Sequence, residues 1–113
     1  MIEKTEEMNA LLDFYETLLT EKQAEVMKLY YQEDFSLSEI AETLAISRSA
    51  VSDHMKRSSL ILQEYEKKLH LVQNYETRIK IYDKIKAVGD AEICTLVEEL
   101  EKLENSKEES RNV

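Results

Sequence analysis

Apolar residues recur at steps of three and four along almost the whole chain, separated mainly by acids, lysines and other polar side chains. That is the spacing of amphipathic helices, each turning one face to a core. Met8, Leu11, Leu12, Tyr15, Leu18 and Leu19 define a first helix over residues 2–19, with Glu3, Glu6, Glu7, Asp13 and Glu16 on its other faces. Acid near the start of this helix suits the positive end of its dipole. Thr20 followed by Gln23 predicts a capping box that opens a second helix, with Val26, Met27, Leu29 and Tyr30 facing inward. Residues 32–35 connect it to a third, and Phe35 is placed to staple against Ile40 across a cap at Ser36.

Residues 36–57, SLSEIAETLAISRSAVSDHMKR, predict two short helices joined by a tight corner. Ser36 and Glu39 form a second capping box, so a helix begins at Leu37. Ile40, Ala41 and Leu44 share a face, and Ala41 is small enough for the next helix to cross closely over it. Ile46 plugs the corner, and Ser47 caps a new helix whose Val51, Met55 and later Leu62 return to the core. Ser47, Arg48, Ser49, Ser52, Asp53, Lys56 and Arg57 are left on the outer face. This is the pattern of a DNA-reading helix-turn-helix, whose second helix enters the major groove with its leading residues at base edges. Arg48 is the leading candidate for a base contact, while Lys56 and Arg57 suit phosphates and the serines suit either. Asp53 can accept from a cytosine amino group or pair with Arg57 one turn on; the intrahelical pair is favoured.

From Ser58 no break is expected before Gly89. Ile61, Leu62, Tyr65, Leu69, Val72, Tyr75, Ile79, Tyr82, Ile85 and Val88 continue the stripe, so the reading helix runs into a long amphipathic helix or is followed by one after a small bend. Asp90 then caps a last helix with Ile93, Leu96, Val97, Leu100 and Leu103 along one side. The expected fold is an all-α small helical bundle. Residues 1–70 form the helix-turn-helix bundle, residues 71–103 a C-terminal helical extension, and residues 104–113, ENSKEESRNV, a disordered tail. So long a stripe outruns a minimal bundle. Either a second copy covers it, giving a homodimer that presents two reading helices, or the C-terminal helices form a hairpin on the first helix of the same chain.

Composition agrees with helices throughout, since there is no proline and one glycine. At 113 residues the chain can bury one modest core. One cysteine excludes an intrachain disulfide and a cysteine-based zinc site, and suggests a reducing compartment. No leader-like segment and no apolar run of membrane-crossing length is present, so a soluble cytoplasmic protein without a membrane partner is expected. The net charge of −9 opposes nucleic-acid binding, because phosphate contacts supply much of the affinity. That charge lies elsewhere: residues 36–60 carry three basic and three acidic side chains.

Other chemistry finds little support. His54 and His70 have no second histidine or cysteine at ligand spacing, Cys94 sits among Ile93, Leu96 and Val97 with no evident base, and Glu98 and Glu99 read as a solvated face. Neither a phosphate-binding loop nor a nucleophile elbow is present, so no enzyme, cofactor or metal is expected. Tyr30, Tyr31, Tyr65, Tyr75 and Tyr82 mostly fall on the apolar stripe, which favours core packing over stacking on single-stranded bases.

The stretch FYETLLTEKQAEVMKLYYQEDFSLSEIAETLAISRSAVSDHMKR, followed by EYEKKLHLVQNYE, resembles the YlxM-like family of small bacterial proteins. It covers well over half of the chain; LLTEKQAEVMKLYYQEDFSLSEIAE has the general form of sigma-like and response-regulator domains, and FYETLL with KKLHLVQNYE narrows it. The resemblance implies a helix-turn-helix like region four of sigma factors, in the winged-helix-like class. It also implies double-stranded DNA as partner and a regulatory role in the signal recognition particle pathway, whose GTPase gene typically neighbours that of the family. Three positions depart from the general pattern: Ala45 stands at a corner often held by glycine, Ser38 where glycine often precedes the glutamate, and His54 where many motifs are apolar. Two other functions fit the same residues. One is a protein-interaction adaptor that binds a signal recognition particle component or RNA polymerase with the helix-turn-helix as scaffold; the other is binding to structured RNA.

Overall fold

The computed structural model describes residues 2–105. It is all-α: among the described residues there are α-helices and one short 3-10 turn, and no strand. The wing that the winged-helix-like class implies is therefore not found among them. The described residues form two compact units that divide after Val72.

In the first unit, α1 (Ile2–Tyr15) is shorter than the apolar stripe, because the chain tightens into a 3-10 turn over Glu16–Leu18. The tighter winding changes the angular step per residue, so Leu18 is 48% exposed while Leu19 is buried. Thr20 then caps α2 (Glu21–Tyr31) with both arms of the expected box: the Gln23 N–H donates to Thr20 Oγ1 (3.2 Å) and the Thr20 N–H to Gln23 Oε1 (3.0 Å). Val26 and Met27 are buried; Tyr30 is instead exposed and meets Tyr31 edge-on, with ring centroids 4.9 Å apart. Tyr31 packs on the core in its place.

Two apolar clusters build the core of this unit. Met8, Leu11, Leu12, Tyr15, Leu19, Met27 and Leu62 join α1 and α2 to the fourth helix, α4 (Arg48–Leu69). Val26, Ile40 and Val51 join α2 and α4 to α3 (Leu37–Leu44). Met55 packs against both clusters, so they share a wall on α4. Leu12, Val26, Met27, Ile40, Val51 and Leu62 are each fully buried, a contribution of about 1.5–3 kcal/mol apiece.

The uninterrupted helix expected from Ser58 to Gly89 is broken at His70. His70 takes a left-handed conformation (φ 56°) that ends α4, and α5 (Leu71–Val88) starts at the next residue. No glycine or proline marks the break. It is made by long-range hydrogen bonds: the Tyr15 hydroxyl donates to Glu66 Oε1 (2.6 Å) and accepts from the Leu71 N–H (3.2 Å), while Glu66 Oε1 also accepts from the Val72 N–H (3.0 Å). Backbone donors that a new helix leaves unpaired are thus met by side chains from α1 and α4.

In the second unit α5 turns at Gly89 into α6 (Ala91–Glu104). Asp90 caps α6 by accepting from the Ile93 N–H (3.0 Å). Glycine is required here by close approach, since a Cβ at Gly89 would lie 2.5 Å from Ile93 Cγ2. Arg78 and Tyr82 bond the Glu104 carboxylate, and Lys86 bonds Glu101 (3.0 Å), joining the two helices. Of the apolar side expected along the last helix, Val97 is buried, but Ile93, Leu96, Leu100 and Leu103 are exposed. Cys94 is half-buried and its thiol donates to the Lys86 carbonyl oxygen. Of the tail expected over residues 104–113, Glu104 belongs to α6 and is held by Arg78 and Tyr82, and residues 106–113 lie outside the described residues. Among the described residues no helix is long and apolar enough to cross a membrane.

Candidate nucleic-acid interface

Two capped helix starts and one capped end fix the geometry between Ser36 and Arg57. At the entry, the Glu39 N–H donates to Ser36 Oγ (3.1 Å) and the Ser36 N–H to Glu39 Oε1 (3.0 Å). Those bonds to Ser36 hold the Glu39 carboxyl below its usual range. Phe35, immediately before the cap, packs in the same cluster as Ile40, completing the staple.

The corner closes as a Schellman motif. Ala45 is left-handed (φ 56°, ψ 44°), its N–H donates to the Glu42 carbonyl, and the Ile46 N–H donates to the Ala41 carbonyl (3.1 Å). Ile46 packs on the cluster with Ala41, so the corner is plugged by its own side chain. A non-glycine residue in this conformation costs about 1–2 kcal/mol, which the paired carbonyls and the Ile46 contact offset.

Ser47 then caps α4, its Oγ accepting from the Ala50 N–H (3.0 Å). Its hydroxyl proton remains available to donate outward. Val51, Met55, Ser58 and Leu62 lie along the inner side of the helix, Val51, Ser58 and Leu62 fully buried. Ser47, Arg48, Ser49, Ser52, Asp53, Lys56 and Arg57 are all exposed and come together over the first three turns. Arg57 pairs with Asp53 (3.0 Å), both side chains more than half exposed. Such a surface pair is worth a few tenths of a kcal/mol, weak enough for Arg57 to be redirected to a phosphate. Asp53 and Ser49 lie opposite the buried side, Lys56 and Arg57 flank them, and Ser52 and Arg48 follow round toward one edge of the exposed face.

Sequence reasoning missed three residues that shape this helix. Ser58 is wholly buried, and its Oγ has no hydrogen-bond partner among the described residues. Tyr15 and Glu66 set where the helix stops, through contacts separated by 51 residues. Only the position of Tyr15 on the first apolar stripe signalled any role, and it signalled burial. The other tyrosines behave as packing residues where they are buried: Tyr65 stacks on Tyr15 at a centroid separation of 6.0 Å, and Tyr82 is buried in the second unit.

Residues 2–108 match the family UPF0122, described as "Putative helix-turn-helix protein, YlxM / p13 like". The UPF0122 protein YlxM of Bacillus subtilis (strain 168) is 46% identical over 108 residues, covering 91% of this chain and 98% of that protein. A UPF0122 protein of Halalkalibacterium halodurans is 48% identical over 109 residues, covering 92% and 100%. A third, from Streptococcus pneumoniae (strain Hungary19A-6), is 52% identical over 84 residues, covering 74% and 76%. With the match spanning nearly every residue and both capped helices inside it, the chain belongs to the UPF0122 family of YlxM-like helix-turn-helix proteins.

Proposed function

We propose that this protein is a sequence-specific regulator that binds double-stranded DNA through the front of α4. The observation that carries the reading is the combination of a capped, plugged corner with seven exposed polar or charged side chains on the helix it launches. Such a helix start is already ordered before a ligand arrives, so little conformational entropy opposes binding. Arg48 approaches a base edge, Lys56 and Arg57 neutralise phosphates, and Ser47, Ser49 and Ser52 donate to backbone oxygens or bases. Asp53 orients Arg57. The chain's net charge of −9 makes the affinity modest and strongly dependent on salt. Following the family resemblance, the regulated process is the signal recognition particle pathway, in the cytoplasm.

Selection of bound duplexes from a random pool at two salt concentrations tests this reading. A shared sequence enriched at both concentrations supports it. Retention at low salt with no sequence preference would replace specific recognition by non-specific attraction. Binding to the signal recognition particle or RNA polymerase, unchanged when Arg48, Lys56 and Arg57 are all replaced, would favour the adaptor reading.

A further inference from the structure

The α5–α6 hairpin exposes an apolar face that its own unit does not cover. On α6, Ile93, Leu96, Leu100 and Leu103 are 41%, 55%, 43% and 72% exposed and follow the three-four-three spacing of a coiled-coil seam. On α5, Ile81 and Val88 are 47% and 88% exposed, with the half-buried Ile85 between them. At 3.6 residues per turn, each stripe lies about a quarter turn from the line along which Tyr82 and Lys86 reach Glu104 and Glu101. Because the helices are antiparallel, both quarter turns point to the same side. Tyr82 and Val97 are the buried apolar side chains of this unit among the described residues, too thin a core for two helices to stand alone.

The rims of the face differ in sign. Beyond the stripe on α5 lie Lys80 and Lys84; beyond the stripe on α6 lie Glu92 and Glu99, and all four are exposed. A two-fold axis running across the helices would stack α5 on α5 and α6 on α6, setting lysines against lysines and glutamates against glutamates. An axis running parallel to the helices sets α5 of each copy on α6 of the other, antiparallel, with each lysine rim along a glutamate rim.

We propose that a second copy of this chain covers the α5–α6 face, packing in that second arrangement as an antiparallel four-helix bundle. The rims of the face are complementary to one another in charge, which a one-sided partner would not require. The inference rests on the second unit alone and stands or falls independently of DNA binding.

Sedimentation equilibrium of the full chain over about a hundredfold range of concentration tests it. The wild-type protein is expected to be a dimer. The double variants Lys80→Glu with Lys84→Glu, and Glu92→Lys with Glu99→Lys, are each expected to dimerise roughly tenfold more weakly. An equimolar mixture of the two should recover wild-type affinity, because each hetero-pair restores opposite charges at both rims. Circular dichroism of the variants controls for folding, since all four positions are exposed. A wild-type monomer at every concentration, dimers indifferent to both double variants, or a mixture no tighter than its components would each overturn the proposal.

Discussion

The Tyr15 hydroxyl lies 2.6 Å from the Glu66 carboxylate and 3.2 Å from the Leu71 backbone nitrogen, so one buried phenol fixes where α4 gives way to α5. Removing it leaves the half-buried Glu66 carboxylate and a backbone N–H without that partner. Tyr15→Phe should therefore lower stability by about 2 kcal/mol in chemical denaturation, with the ring's stacking on Tyr65 retained. Burial, and then the Glu66 carboxylate, push the Tyr15 hydroxyl above its ordinary value of 10.0. A raised pKa gives stability that is complete below that ordinary value and lost as pH climbs from it toward the folded value. Stability should fall above about pH 10, and more gently in Tyr15→Phe. Tyr31 and Tyr82, also raised by burial, keep part of the slope.

Ala45 and His70 both hold left-handed backbone at helix ends without being glycine. Glycine removes the Cβ clash but adds freedom to the unfolded chain, and the first effect is larger. Ala45→Gly and His70→Gly should each raise stability by about 0.5–1 kcal/mol, measured as a shift of the denaturation midpoint with unchanged slope. A loss of stability in Ala45→Gly would mean that the alanine methyl makes a contact that outweighs its strain.

Ser58 buries a hydroxyl that has no hydrogen-bond partner among the described residues, on the inner side of α4. Ser58→Ala removes the unpaired group with almost no change of volume, and alanine is the better helix former. A gain of about 1 kcal/mol is expected in thermal or chemical unfolding. Ser58→Val, by contrast, should destabilise, since the site is fully enclosed.

Much of the fold is legible in the sequence because the signals that set it are local. Thr20 with Gln23, Ser36 with Glu39, Ser47, and Asp90 each announce a helix start within three residues, and each cap is present. Core positions such as Leu12, Val26, Ile40 and Val51 follow directly from helical spacing. The break at His70 could not be read this way, because its cause, a hydroxyl on residue 15, is remote in the chain. The same limit left open what covers Leu96 and Leu103: periodicity says that a face is apolar, and not what lies on it. For the candidate interface, the residues on the outer face of α4 were legible from period alone, whereas the Schellman closure at Ala45 was legible only as a departure from the usual glycine.

In the proposed function, the capped front of α4 reads bases through Arg48 while Lys56 holds the backbone. That reading is tested most directly by titrating the wild type, Arg48→Ala and Lys56→Ala on a selected duplex and on its single-base variants over a range of salt. Arg48→Ala should cost about 1–3 kcal/mol on the selected duplex and erase the preference at one base pair. Lys56→Ala should weaken all duplexes alike and reduce the salt slope by about one. Equal, sequence-independent losses in both variants, or no loss in Arg48→Ala, would contradict base reading by this helix.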